Sequence, residues 1–207
     1  MTSLDPIPAD RVYWLELQPD STIWTQFSSW LPYIRALNPE YAVVQDPLHC
    51  TLHYDPQGVD EEYNTLWSSS MLHTEHGLKL TEIYCGPEGV ASEAHLNPQV
   101  AAWYHHREEL HETAPHVSLM VSPEHLPKDL GPMVKRGAEA LWFPTNNPSI
   151  HHTKDGSMTK LSVVAFVPTI AQEVVLDRST VCWWHLWHYF RSCLWWHMEW
   201  PMWPGGR

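Results

Sequence analysis

The sequence predicts an α+β protein built on antiparallel strands, and three observations support that fold class. Apolar residues make up 43% of the 207 residues and charged residues 17%, which is typical of a globular domain and not of a disordered chain. Strand-like segments often follow one another without a helix between them, which favours antiparallel pairing over a doubly wound parallel sheet. Clusters of Gly, Pro and Asp separate several of these segments, as expected for tight turns.

Apolar spacing and capping residues define the elements of the first half of the chain. Ile23, Phe27 and Ile34 recur at helical spacing, and Pro32 is expected to kink the helix that contains them. The predicted elements are a strand over 12–17, a helix from Asp20 or Ser21 to about Leu37, a β-prone stretch over 41–54 and a short helix opened by Asp60.

The second half is predicted to contain two hairpins and two helices. Asn97-Pro98 is a good cap and first-turn pair for a helix, whereas Gly131-Pro132 is expected to break the weaker helix around it. The predicted elements are strands 78–85 and 90–96 around a turn at 86–89, a helix from Asn97 to Glu112, a strand over 115–121, a helix over 129–141, and strands 150–153 and 158–167 around a turn at 154–156.

The chain divides into a domain over residues 1–180 and a Trp-rich C-terminal extension over 181–207. The extension holds seven of the thirteen tryptophans. Histidines and charged residues interrupt it, so an interfacial segment is favoured over a membrane-spanning helix. We expect a peripheral extension that touches a membrane surface or a neighbouring domain.

Charge and cysteine content exclude some functions. The chain has 12 Lys and Arg against 24 Asp and Glu, a formal net charge of −12. Sequence-independent binding of long nucleic acid is therefore not expected. A small anionic ligand can still bind at a site that is locally neutral or positive. The four cysteines form no CxxC pair, and the N-terminal residues lack the pattern of a secretory signal. These features predict a cytoplasmic protein with reduced thiols.

A segment that occurs twice in the chain contains the candidate catalytic residues. Two segments, residues 47–56 and 114–123, contain the same pattern. From the third residue onward, each has a His, an apolar residue, a hydroxyl residue and a Leu, and the second copy lies 67 positions after the first. The matched residues are His49 with His116, Thr51 with Ser118, Leu52 with Leu119, and Pro56 with Pro123. Because side chains alternate along a strand, each His is expected to share a face with its hydroxyl residue. Alternation also predicts His53 on the face of His49, and Tyr54 on the opposite face.

Two imidazoles and two hydroxyls around one small volume suit phosphodiester transfer. One neutral and one protonated His can act as base and acid, and the hydroxyls can hold the non-bridging phosphate oxygens. No metal or other cofactor is needed when the nucleophile is a ribose hydroxyl beside the phosphate.

These motifs resemble the paired His-x-Thr/Ser-x motifs of the 2H phosphoesterases, the LigT-like superfamily, over roughly residues 11–167. The resemblance implies a two-lobed, pseudo-symmetric α+β fold with antiparallel sheets lining a central cleft and helices outside. It implies that His49 and His116 are the general acid–base pair and that Thr51 and Ser118 bind phosphate. Family members often stack a base on an aromatic residue near the cleft. Tyr13, Trp14 and His53 are the candidate substrate-binding residues, with His53 as a wall of the site.

Residues 128–135 also look similar to a domain of fish retroelement polyproteins, which points to a viral or virus-derived member. Viral members destroy nucleotide second messengers of innate immunity. We therefore expect a metal-independent phosphodiesterase for a small 2′,5′-linked nucleotide. The favoured substrate is 2′,3′-cyclic GMP-AMP. It is placed ahead of 2′,5′-oligoadenylate because an acidic chain offers few favourable contacts to a long anionic oligomer. The alternatives are a 2′,3′-cyclic phosphate phosphodiesterase acting on RNA ends or small cyclic nucleotides, and a non-catalytic nucleotide-binding module of a polyprotein.

Other histidines have simpler interpretations. His105, His106, Glu109 and His111 lie on a predicted helix at spacings that could bind metal, but no second ligand cluster is evident, so a solvated face is favoured. The pair His151-His152 is expected in a loop or at a strand edge.

Overall fold

The computed structural model has an α+β fold, and its described residues form one large antiparallel sheet and four α-helices. It describes residues 9–18, 22–44, 47–104 and 112–176. The described helices are α1 (Thr22–Leu37), α2 (Glu61–Ser70), α3 (Pro98–Tyr104) and α4 (Leu130–Glu139). The described strands are β1 (Asp10–Leu17), β2 (Ala42–Val43), β3 (His49–Asp55), β4 (Glu75–Gly86), β5 (Gly89–His95), β6 (His116–Val121), β7 (Phe143–Pro144), β8 (Ile150–His152) and β9 (Thr159–Leu176).

The strands are hydrogen-bonded in the order β1-β3-β6-β5-β4-β9-β8-β7, with β2 beside β6, and every pairing among these strands is antiparallel. The 18-residue strand β9 pairs with β4 along its first part and with β1 along its last part. The path β1-β3-β6-β5-β4-β9 therefore returns to β1, and β3 and β6 are neighbours in it, with β1 beside β3 and β5 beside β6.

Local sequence explains where two of the helices begin. The side chain of Asp60 accepts a hydrogen bond from the backbone N–H of Tyr63, and that of Asn97 accepts one from Val100. Both caps satisfy N–H groups that have no partner within their helix. The predicted starts of α2 and α3 are confirmed.

The prediction that Gly131-Pro132 breaks a helix is wrong. Both residues lie in the first turn of α4, where a proline is tolerated because its missing N–H has no helical partner in that turn. The final strand is also longer than predicted, since it continues past Val167 to Leu176 along β1. The proposed extension over 181–207 lies outside the described residues.

The core has two parts, one on each side of the central strands. The larger packs apolar residues of α1, α2 and α3 against side chains such as Leu15, Cys50 and Val117. The smaller packs α4 against Tyr84 and Ala91, on the opposite face of the sheet. Burying these surfaces provides most of the drive to fold. Among the described helices, none has the length and apolar character needed to cross a membrane.

Candidate functional site on the adjacent strands β3 and β6

The two repeated segments form adjacent antiparallel strands. Cys50 of β3 pairs with Val117 of β6, and both side chains are fully buried. Continuing this register by one residue in each direction places His49 across from Ser118 and Thr51 across from His116. Each imidazole therefore has its own hydroxyl residue two positions along the strand and the other copy's hydroxyl residue beside it.

These four side chains lie on the face opposite the large core. All four are partly exposed, while the alternating residues Cys50, Leu52, Val117 and Leu119 are buried. The alternation predicted for the start of both repeats agrees with this burial pattern.

A β-bulge follows in each repeat. Between β1 and β3 the register passes from Trp14 opposite Thr51 to Tyr13 opposite His53, which leaves Leu52 as the extra residue. Between β5 and β6 it passes from Ser118 to Met120, which leaves Leu119 as the extra residue. The two leucines are equivalent in the repeat, so the same irregularity ends both His-hydroxyl segments.

The bulge at Leu52 overturns the prediction that His53 shares the face of His49. One extra residue turns the following side chains over, so His53 points into the core, where it is 3% exposed and stacks on the buried ring of Tyr13. Neither Tyr13 nor His53 reaches the face that carries His49. The same shift makes Tyr54 an exposed residue whose hydroxyl donates to Asp10, contrary to the face predicted for it.

Both histidines are held in one tautomer by equivalent backbone contacts. The Nδ1–H of His49 donates to the carbonyl of Pro47 at 3.0 Å, and that of His116 donates to the carbonyl of Ala114 at 2.9 Å. A carbonyl oxygen can only accept, so each neutral ring carries its proton on Nδ1 and presents Nε2 as an acceptor. Each partner lies two residues before its His, which is a further match between the repeats.

The surroundings lower the pKa of both rings. For His49 burial lowers the pKa, while the Pro47 carbonyl and the charge of Glu16 oppose that effect. For His116 burial again lowers the pKa, the Ala114 carbonyl opposes it, and the nearby charge of His49 lowers it further. The two imidazoles are thus close enough to influence each other's protonation.

Trp14 is the aromatic candidate that borders the site. Its indole stacks on the His49 ring, with 4.3 Å between centroids and 27° between planes. It lies opposite Thr51 on β1, so it belongs to the same face as the four repeat residues.

Two carboxylates that no sequence motif marks occupy equivalent positions. Glu16 of β1 lies directly across from His49, and Glu93 of β5 lies directly across from His116. Directly opposed side chains on one face have Cβ atoms about 4.5–5.5 Å apart. Strand alternation puts Glu16 on the face of Trp14, but only the pairing register shows which His it faces.

The first turn of α4 packs against the imidazole of His116. A Cβ added to Gly131 would lie 3.1 Å from Cε1 of His116 and 3.1 Å from Cβ of Thr113. A side chain at this position would press on the imidazole, so the ring or α4 would have to shift by a few tenths of an ångström.

The histidines outside the pair give no metal site among the described residues, where no group of three or more His, Cys, Asp or Glu is arranged to hold an ion. The candidate cluster over 105–111 lies outside those residues. His151 and His152 lie on β8, where the ring of His152 hydrogen-bonds to Thr159.

Comparison with known proteins adds no assignment, since no protein-family model and no curated protein matches this chain.

Proposed function

We propose that this protein is a metal-independent phosphodiesterase of the 2H type that acts on a small 2′,5′-linked nucleotide. One observation carries the proposal. Two histidines lie on adjacent strands, each fixed by its Nδ1 to the carbonyl two residues earlier, with a hydroxyl residue of the other copy beside each. That arrangement offers an acid, a base and two phosphate-binding hydroxyls on one face.

The strands that border the two repeated segments also support the proposal of a two-lobed, pseudo-symmetric fold. β1 borders β3 as β5 borders β6, with a bulge at the same repeat position in both. We propose that this relation is the centre of the two-lobed, pseudo-symmetric 2H fold, with the partly exposed face of β3 and β6 as its cleft.

The first chemical step is a transesterification within the substrate. One neutral Nε2 removes the proton of the ribose 3′-hydroxyl, and the 3′-oxygen attacks the phosphorus. The bond from phosphorus to the 5′-oxygen breaks, and that oxygen takes a proton from the other, protonated Nε2. The products of the step are a 2′,3′-cyclic phosphate and a free 5′-hydroxyl. Thr51 and Ser118 donate to the non-bridging oxygens while negative charge shifts onto them.

A small substrate fits the charge of the chain better than a long one. At a net charge of −12, and with Glu16 and Glu93 on the site face, extended polyanions meet repulsion beyond the scissile phosphate. We therefore place 2′,3′-cyclic GMP-AMP ahead of 2′,5′-oligoadenylate. Cleavage of either compound removes a signal of innate immunity, which fits a viral or retroelement origin.

A substrate panel in excess EDTA tests the proposal. The purified chain is incubated with 2′,3′-cyclic GMP-AMP, its 3′,3′-linked isomer, 2′,5′-oligoadenylate and adenosine 2′,3′-cyclic phosphate, and the products are separated by chromatography. We expect cleavage of a 2′,5′-linked compound and none of the 3′,3′ isomer, with His49→Ala as the inactive control. Turnover of the 2′,3′-cyclic phosphate alone would replace this substrate class with RNA-end processing. Binding of nucleotide without turnover would indicate a non-catalytic module.

A further inference from the structure

The two halves of the site differ in the carboxylate that faces each histidine. Glu16 and Glu93 occupy equivalent cross-strand positions, opposite His49 and His116. The carboxylate of Glu93 accepts a hydrogen bond of 2.9 Å from the hydroxyl of Tyr84. Within the described part of the chain, Glu16 has no such hydrogen-bond or ion-pair partner. Its charge acts on the His49 ring that it faces.

We propose that Glu16 is a positioning residue that makes His49 the proton donor and His116 the proton acceptor of the first step. This inference rests on the proposed function and deepens it. The carboxylate stabilises the doubly protonated ring of His49, whose Nδ1–H stays on the Pro47 carbonyl while Nε2–H faces the leaving oxygen. The carboxylate opposite His116, that of Glu93, is instead hydrogen-bonded to Tyr84, and burial together with the charge of His49 lowers the pKa of the His116 ring. His116 therefore stays neutral, with its Nε2 available to remove the 3′-hydroxyl proton.

The charges around His49 agree with this assignment. From the described elements packed against it, the titratable groups that face it are Glu16 of β1 and His116 of β6. The charge of Glu16 raises the pKa of His49 against the effect of burial, whereas the charge of His49 adds to the lowering of the pKa of His116. Both influences leave His49 the more basic ring of the pair.

In the second step the roles reverse. His49, now neutral, removes a proton from water, and the water oxygen attacks the cyclic phosphate. The bond from phosphorus to the 3′-oxygen breaks, and that oxygen takes the proton that His116 gained in the first step. Both histidines then regain their starting states, and the protons balance over the cycle.

The pH dependence of kcat/KM for Glu16→Gln tests the inference. The more basic ring controls the alkaline limb, because the rate falls when the acid loses its proton. Losing a facing charge is expected to move that limb toward lower pH by about 1 unit. Glu93→Gln is the matched control, since its amide oxygen can still accept from Tyr84, and its alkaline limb should stay in place. Glu16→Asp should restore most of the wild-type limb.

A titration of His49 by NMR separates failure of this inference from failure of the proposed function. The Cε1–H signals of His49 and His116 are assigned from the two His→Gln variants and followed over pH without substrate. We expect His49 to titrate above His116 in the wild type, and to shift downward in Glu16→Gln only. Equal titration in wild type and Glu16→Gln, or a shift confined to His116, would overturn the assignment even if the enzyme turns over. If the NMR shifts are as expected but no substrate is turned over, Glu16 has the proposed electrostatic effect on His49 and the proposed phosphodiesterase function is wrong.

Discussion

The His49 half and the His116 half of the site contain the same groups in the same order, but their surroundings differ. In the first half an indole from β1 stacks on the imidazole, and a carboxylate without another described partner faces it. In the second half the position equivalent to Trp14 is Ala91, and α4 packs over it with Gly131 against the ring. The repeat thus supplies matched chemistry, and the additions around it make the two histidines unequal.

The largest expected effect comes from removing either imidazole. His49→Ala and His116→Ala should each lower kcat/KM by about 10²- to 10⁴-fold, because in the proposed mechanism each ring supplies one half of the proton transfer. Steady-state kinetics on the substrate that the panel identifies measures the loss, and circular dichroism checks that the fold is kept. If either folded variant kept wild-type turnover, the pair would not be the catalytic unit.

The hydroxyls should matter less than the imidazoles. Thr51→Val keeps the shape of the side chain and removes the donor, and Ser118→Ala removes the donor of the second copy. Each should lower kcat by about ten- to a thousandfold, because loss of one donor to a developing oxyanion costs up to about a thousandfold and the other hydroxyl remains. Similar losses in the two variants would show that the halves share the phosphate. A silent Thr51→Val beside an inactive Ser118→Ala would show that only one half binds it.

The close approach of α4 predicts a smaller effect that is specific to the second half. Gly131→Ala places a Cβ against His116, so the ring or the helix must shift. We expect kcat/KM to fall by about tenfold, less than the hundredfold that a misplacement of about 1 Å can cost. Gly77→Ala is the matched control, because its added Cβ would meet nothing within 4 Å. Equal kinetics in the two variants would show that the close contact between α4 and His116 does not affect activity.

Stability should show the smallest effect, as a loss on acidification. A lowered pKa means that the folded state holds fewer protons than the unfolded state between the folded pKa and about 6.5. Stability is therefore full above about pH 6.5 and declines as the pH falls through the folded values. Urea unfolding from pH 7 to pH 5 measures that slope, and His116→Gln should make it shallower. An unchanged slope in His116→Gln would show that this ring is not held neutral by the fold.

The shared face of the four repeat residues could be predicted from the sequence because the information is local. The repeat gives His49, Thr51, His116 and Ser118 directly, and alternation puts each His on the face of its hydroxyl. The α+β class with antiparallel strands follows from the order of elements in the same way. Only short-range patterns are needed for each of these predictions.

The errors arise where distant parts of the chain meet. Nothing in the composition of residues 49–55 marks Leu52 as an extra residue, since the bulge exists only relative to β1. For the same reason the sequence does not show that Glu16 faces His49. Gly131-Pro132 is compatible with the end of a helix or with its first turn, and packing against His116 favours the first turn.

The most direct test of the central claim is the pH profile of kcat/KM for the wild-type protein in excess EDTA, on the 2′,5′-linked substrate of the panel. An acid–base pair gives a bell, and the lowered pKa of both imidazoles places its maximum below the ordinary histidine value of about 6.5. The proposed two-histidine mechanism predicts that bell at full activity in the chelator. Activity abolished by EDTA and restored by zinc, or a rate that keeps rising above pH 7, would contradict it.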